Sequence, residues 1–329
     1  MPMKSFQKVA ALLVLALVAS FAVQAQVKYP TKPIQVIVPA GPGGDTDLNC
    51  RIMAKYLEKE LGQPVIIVNV NGAGGSLGSR KVKDSAPDGY TALFFHPSMF
   101  LNKLMGLVDY SFVDFENAGI AVMDNTNIFV VNATSPYKNL NDYISAAKAK
   151  PGKVRFATET GGFTHLQILA FQDATGADLN VVDVGSAAQK IVALLGKQVD
   201  AIGISYGIIK DYVASGKFRV IGVMSDVRNP MIPTIPTFKE QGVNMSFPKF
   251  FYYLFPKGTP QDIVGRFSDA IAKVAANPDA QAELNKFMVS AEYMTPAVAN
   301  KYMLEQETTY FKYQNLMMNA KIEKEEVKK

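Results

Sequence analysis

The sequence predicts an α/β fold with parallel sheets, on three observations. Short β-branched runs alternate with amphipathic helical stretches along most of the chain. Glycines stand where the helical periodicity stops, at Gly62, Gly176 and Gly196. Three of the loops that lead from a strand into a helix are rich in glycine and hydroxyl groups, the composition found beyond the carboxyl ends of strands in open sheets.

The elements follow in order. Ile34–Val38 is a β-branched strand, and Thr46 to Leu61 is a helix with Leu48, Ile52, Leu57 and Leu61 on one stripe. Val65–Val68 is a strand, Asn69 to Gly75 a glycine-rich loop, and a short helix runs to Lys83. Tyr90–Phe95 and Asn127–Val131 are strands. Asn139–Lys150 is a helix ended by Pro151-Gly152. Val154–Ala157 leads to the helix Thr164–Thr175, and Val181–Val184 leads to the helix Ala187–Leu195. Val199–Ile204 and Arg219–Met224 are strands, and Pro230 to Pro236 breaks the rhythm. Phe250–Phe255 is a last apolar strand, after which helices dominate.

The three loops are Gly41 to Asp47, Thr158 to Thr164 and Gly185 to Ala188. Each opens a helix, whose first amides lack intrahelical partners and whose dipole is positive there, so each can hold an anion. Glycine lets the backbone approach a ligand closely. Together they predict a cleft that grips an anion from both sides, with the amides of Gly43, Gly44, Gly162 and Ser186 exposed to it.

Composition narrows the function. The chain is 48% hydrophobic, with a net charge of +5 and one cysteine, Cys50. Its lysines and arginines are dispersed apart from the tail, which leaves no stripe for nucleic acid. One cysteine excludes an intramolecular disulfide. Cys50 with only two histidines, His96 and His165, cannot build a His/Cys zinc site. Lys4 and Lys8, the apolar run Val9 to Ala19 and the ending Val23-Gln24-Ala25 have the layout of a secretory signal peptide cleaved after Ala25. That places the mature chain in the periplasm and removes two of its lysines. Enzyme readings find no support. Gly72 to Gly78 lacks the spacing of a dinucleotide fingerprint, and no G-x-S-x-G elbow is present. No cofactor, catalytic residue or metal is expected.

Several segments carry a resemblance: YPTKPIQVIVPAGPGGDTD from Tyr29, LGQPVIIVNVNGAGG from Leu61, APDGYTALFF from Ala86, ALLGKQVDAI from Ala193, IPTIPTFKEQG from Ile232 and LFPKGTPQDIVGRF from Leu254. In order and spacing the chain resembles the substrate-binding proteins of tripartite tricarboxylate transporters, the Bug or TctC-like family. The resemblance implies a two-lobed, type II-like periplasmic binding protein with a ligand cleft between two Rossmann-like lobes. Lobe 1 would be 26–125 plus 230–329 and lobe 2 would be 126–229. It implies a monomer that captures a small carboxylate (a di- or tricarboxylate, an acidic amino acid or an aromatic acid) and delivers it to the transporter's membrane subunits. A clamshell feeding a sensor kinase would have the same sequence features.

The expected ligand-binding residues are Pro42, Gly43, Gly44, Asp45 and Asp47 in the first loop, and His96 after the third strand. Thr160, Gly162, Phe163 and Thr164 follow in the second loop, Gly185, Ser186 and Ala187 in the third, and Ser205 at a strand end. Asp45 is expected to cap the helix that follows or to face a ligand amine. In the second case Asp45→Ala would change ligand choice more than melting temperature. Phe163 is placed to pack on a ligand's apolar body. His96 is placed to donate to a carboxylate or to act as a pH-sensitive contact, and Arg51 to make a structural pair.

Overall fold

The structure, a computed structural model, describes residues 29–316 and Met318. The leader expected over residues 1–25 and the charged tail beyond Met318 lie outside the described residues.

The chain first lays down four strands of one sheet: β1 (Ile34–Val38), β2 (Val65–Asn69), β3 (Thr91–Phe95) and β4 (Phe115–Asp124). The helices between them are α1 (Asp45–Leu61), α2 (Ser76–Lys83) and α3 (Ser98–Leu104). Two residues after β4 a second sheet begins, made of β5 (Asn127–Asn132), β6 (Arg155–Thr158), β7 (Asn180–Asp183), β8 (Ala201–Ser205) and β9 (Phe218–Val223). Its helices are α4 (Leu140–Ala149), α5 (Phe163–Thr175), α6 (Ala187–Leu195) and α7 (Tyr206–Ala214). The chain then returns to the first sheet with β10 (Lys249–Pro256), α8 (Gln261–Ala276), α9 (Pro278–Asn285), β11 (Ser290–Met294) and α10 (Pro296–Phe311). The strand orders are β11-β4-β10-β3-β1-β2 and β7-β6-β8-β5-β9. The protein is a two-lobed α/β molecule.

The sheets are not wholly parallel, as the alternation suggested. β1 runs parallel to β2 and β3, but β10 is antiparallel to both β3 and β4. β6 is parallel to β7 and β8, whereas β5 is antiparallel to β8 and β9. The reversed strands β5 and β10 are each the first strand laid down after a crossing between sheets, where connection through a single βαβ unit does not apply. β4 itself was not legible, because Asn117 and Gly119 interrupt an apolar run that lies buried almost throughout.

The return crossing comes late. Thr237 bridges Val223, the Phe238 ring lies 5.1 Å from that of Phe129, and Gln241 accepts the Leu140 amide at 3.1 Å. The proline-rich segment is therefore packed on the second sheet.

Helix ends obey local chemistry. Gly62 closes α1 at φ 69°, a left-handed angle that penalises any Cβ. Asn139 accepts the Asp142 amide at 2.9 Å and caps α4, worth about 1 kcal/mol. Ser186 and Gln189 form a reciprocal capping box on α6. The interior is aromatic: Phe94 stacks on Phe251 at 5.5 Å and Tyr253 meets Phe267 at 5.1 Å, and each such buried ring contributes roughly 1.5–3 kcal/mol. Tyr310 on α10 lies 6.0 Å from Phe100 and 6.2 Å from Phe163, so the last helix touches both lobes.

Candidate functional site

Three helices of the two lobes start on the same cleft. α1 enters from the first lobe, α5 and α6 from the second, and between them lies a cavity of about 80 Å³. The expected residues Pro42, Gly44, Asp45, His96, Gly162, Phe163, Thr164, Ser186 and Ala187 line it. Gly43, Asp47, Thr160, Gly185 and Ser205 are not among its lining residues. The lobes are in contact across the cleft: a Cβ built on Gly41 would lie 3.4 Å from the Ser186 Cβ, and one on Gly44 would lie 3.6 Å from the Ala187 Cβ.

The residues outside the wall hold the loops in shape. Asp47 is buried beneath its loop, where its carboxylate accepts the Gly43 amide at 2.9 Å, Arg51 Nε at 3.0 Å and Asn69 Nδ2 at 2.9 Å. These bonds keep its carboxyl below the ordinary carboxylate range against the opposing effect of burial. Arg51 makes the expected structural pair. Gly43 takes φ 76°, which glycine alone adopts freely. In the second lobe Asp183 accepts the amides of Thr160 and Gly185, both at 3.2 Å, and so joins two loops.

The expected anion amides therefore need correction. The Gly43 amide is held by Asp47, that of Gly162 by the Glu159 carbonyl at 2.9 Å, and that of Ser186 by Gln189 at 2.8 Å. The amides pointing into a helix start without an intrahelical acceptor belong to the next residues along: Gly44 and Asp45, Phe163 and Thr164, and Ala187.

Asp45 Oδ1 accepts the Thr46 amide at 2.9 Å, a bond to a helix-start amide of the kind the capping role implied, while its other oxygen faces a lysine. Gly44 is the N-cap residue of α1 and Asp45 is the first helical residue. Its Oδ2 is paired with the Lys249 ammonium and accepts the Ser205 hydroxyl at 2.9 Å. Burial pushes the carboxyl up, but Lys249 beside it prevails and holds it well below the ordinary range. A ligand amine would find this charge already matched.

Ser205, from the end of β8, also bonds Asp124 Oδ2. Burial raises Asp124 above the ordinary carboxylate value, partly offset by Lys249. Asp124 Oδ1 meanwhile accepts the Thr126 amide at 2.8 Å and hydroxyl at 2.6 Å. Asp124 ends the strand that leads to the first crossing, so this network ties cleft and hinge.

His96 is buried, and its Nδ1 accepts the Ser98 amide at 3.3 Å, which puts the ring proton on Nε2. Burial, then the positive charge of Lys249, push its pKa well below the usual histidine value. It is thus neutral, which of its two expected roles favours donation to a carboxylate over a pH-sensitive contact. Phe163 is buried beside it, with ring centroids 6.2 Å apart.

Three charged residues in the wall went unnamed in the sequence: Lys190, Lys249 and Glu159. Lys190 sits in the first turn of α6, where the dipole disfavours a cation. Lys249 heads a strand that is buried along its whole length. Both positions break a local rule, and that was the available signal. Lys190 is 7% exposed and donates to the Gly203 carbonyl at 3.1 Å and the Thr164 hydroxyl at 3.3 Å. Burial, then Lys249, lower its pKa to about 8. Burial raises that of Glu159. Among the described residues no group of histidine, cysteine and carboxylate side chains could hold a metal ion.

Two α/β lobes closing on a polar, charged cavity define a solute-binding receptor. Residues 50–314 match the tripartite tricarboxylate transporter family receptor model, TctC, and the chain belongs to that family. It is 35% identical over 245 residues to the protein BugT of Bordetella pertussis, covering 72% of this chain and 74% of that one. The periplasmic binding protein BugD superposes with a TM-score of 0.82 at 25% identity, over 88% of this chain and 98% of its own. R. palustris Rpa4515, solved with adipate, shares the fold with a TM-score of 0.83 at 23% identity, over 88% of this chain and 98% of its own.

Proposed function

We propose that this protein is a periplasmic, monomeric receptor that captures a small carboxylate between its lobes and passes it to the membrane subunits of a tripartite tricarboxylate transporter. The observation that carries this reading is the convergence of three helix N-termini, from both lobes, on one small cavity whose wall holds two lysines. A carboxylate there meets amides from α1, α5 and α6 at once, so its binding favours the closed arrangement over an open one. Phe163 and Phe95 offer an apolar side for the ligand body. The lobes we assign are residues 29–125 with the chain from β10 onward, and residues 126 to about 243; this moves the second crossing later than residue 230. The family whose model matches the chain is one of receptors. Among the described residues no helix is long and apolar enough to cross a membrane.

The test is a thermal-shift screen of residues 26–329, freed of co-purified ligand, against malate, glutarate, adipate, citrate, glutamate and benzoate. A ligand at about 100 times its Kd adds roughly 2.7 kcal/mol of stability, a rise of several degrees. No shift with any of these acids overturns the reading. With Asp45 already paired to Lys249, plain dicarboxylates are expected to outrank glutamate.

A further inference from the structure

The charges in the cleft wall do not balance in pairs. Lys249 is matched by Asp45. Lys190 has two neutral acceptors, the Gly203 carbonyl and the Thr164 hydroxyl, and no carboxylate is paired with it among the described residues. An ammonium has three donors, so one remains. The side chain is 93% buried yet lines the cavity. A buried cation without an ionic partner is costly unless something supplies the counter-charge.

We infer that Lys190 is the ligand's charge partner: its third N–H donates to a carboxylate oxygen held at the α6 and α5 helix starts, which makes it the residue that selects an ionised acid over a neutral isostere. This rests on the reading of the cleft as a carboxylate site. The groups around it are consistent with that role. Glu159, from the loop after β6, and Asp45, at the start of α1, attract the ammonium; Lys249, at the head of β10, repels it; His96, after β3, is neutral. The wall holds two lysines and two carboxylates, but Lys190 forms an ion pair with neither carboxylate, which leaves it free to pair with a ligand carboxylate. The depressed pKa of about 8 follows from burial and from Lys249. It makes the affinity pH-dependent, because above that value the free protein presents an amine and loses its attraction for the acid.

Calorimetry tests this with adipate, glutarate, malate, benzoate and the neutral diamide adipamide, on wild type, Lys190→Met and Lys190→Arg, at pH 7 and pH 9.5. For the acid that binds wild type, Lys190→Met is expected to raise Kd about 10- to 100-fold at pH 7, the value of a charge-assisted hydrogen bond. Its discrimination against the diamide should shrink by the same factor. The wild-type Kd is expected to rise roughly tenfold or more between pH 7 and 9.5, and that of Lys190→Arg to stay flat because a guanidinium keeps its proton. Lys190→Met within twofold of wild type, or a wild-type Kd independent of pH, overturns the assignment while leaving the carboxylate reading intact. A wild type that binds none of the acids overturns both. Should Lys190→Met fail to fold, Lys190→Gln replaces it, and a pH dependence present in wild type but absent from Lys190→Arg supports the assignment whereas the same dependence in both overturns it.

Discussion

Asp45 shows how far a single residue's role depends on its surroundings. Read in sequence, it is a helix cap or an amine partner. In the fold it is the buried counter-charge of Lys249, two hundred positions along the chain, and an acceptor for Ser205 from the other lobe. Removing one member of such a pair leaves the other buried and uncompensated, which destabilises by about 3–5 kcal/mol. Asp45→Ala is therefore expected to lower stability by that order in urea unfolding, contrary to the expectation that ligand choice would change more than melting temperature. Asp45→Ala combined with Lys249→Met should recover most of the loss. A single variant within 0.5 kcal/mol of wild type would show that the pair is not what holds Lys249. Asp47, two residues away with the same side chain, does a different job because the helix turns it inward onto Gly43, Arg51 and Asn69.

At the scale of elements, the contacts between lobes are made where backbones meet. Gly207, in the first turn of α7, is so close to the first lobe that a Cβ would lie 1.8 Å from the carbonyl oxygen of Phe287. Nearby, Lys210 Nζ donates to the Lys286 carbonyl at 2.6 Å. On the other side of the cleft, Gly74 abuts the backbone of Gly161 at 2.7 Å by the same measure. Neither contact can accept a side chain without the lobes moving apart, whereas the interior of each lobe is untouched. Gly207→Val is thus expected to keep the far-UV circular dichroism of wild type while increasing the radius of gyration in solution scattering and weakening ligand binding. Unchanged scattering with unchanged affinity would mean that the α7–Phe287 contact does not belong to the closed form. The sequence signalled none of this, since Gly207 stands in a stretch with no turn signature.

For the whole molecule, the crossing strands link cleft to hinge. Asp124 ends β4, just before the chain enters the second lobe, and shares Ser205 with Asp45. Its raised pKa has a definite consequence. A carboxyl whose folded pKa exceeds its unfolded one contributes stability that is fully present below the ordinary carboxylate value, about 3.9, and is lost as pH rises through the folded value. Asp124→Asn removes the titrating group while keeping its shape, with an NH₂ that can donate to Ser205 and an oxygen that can still face Thr126. It is expected to be at least as stable as wild type at pH 7 and to lack this component of the pH slope. A loss of more than about 2 kcal/mol at pH 7 would show that the ionised Asp124 carboxylate is what Ser205 and Thr126 require.

What the sequence by itself determined is the local framework. Periodicity located five of the ten described helices within a residue or two, glycines marked several of their ends, and the three loops at the cavity were readable because a helix start with bare amides has its own composition. The reach of a helix or a turn is a few residues, and within that reach sequence neighbours are spatial neighbours. What only the tertiary structure decided is which groups meet across the cleft. Lys249 finds Asp45, Ser205 spans two carboxylates, the Gly43, Gly162 and Ser186 amides turn to partners inside their own loops, and Lys190 alone of the cleft's cations is left without an ionic partner among the described residues. The physical reason is that charge and hydrogen bonding act over a few ångströms of space, whatever the distance along the chain. A cleft built by two crossings between lobes brings together residues whose separation in sequence carries no trace of the encounter.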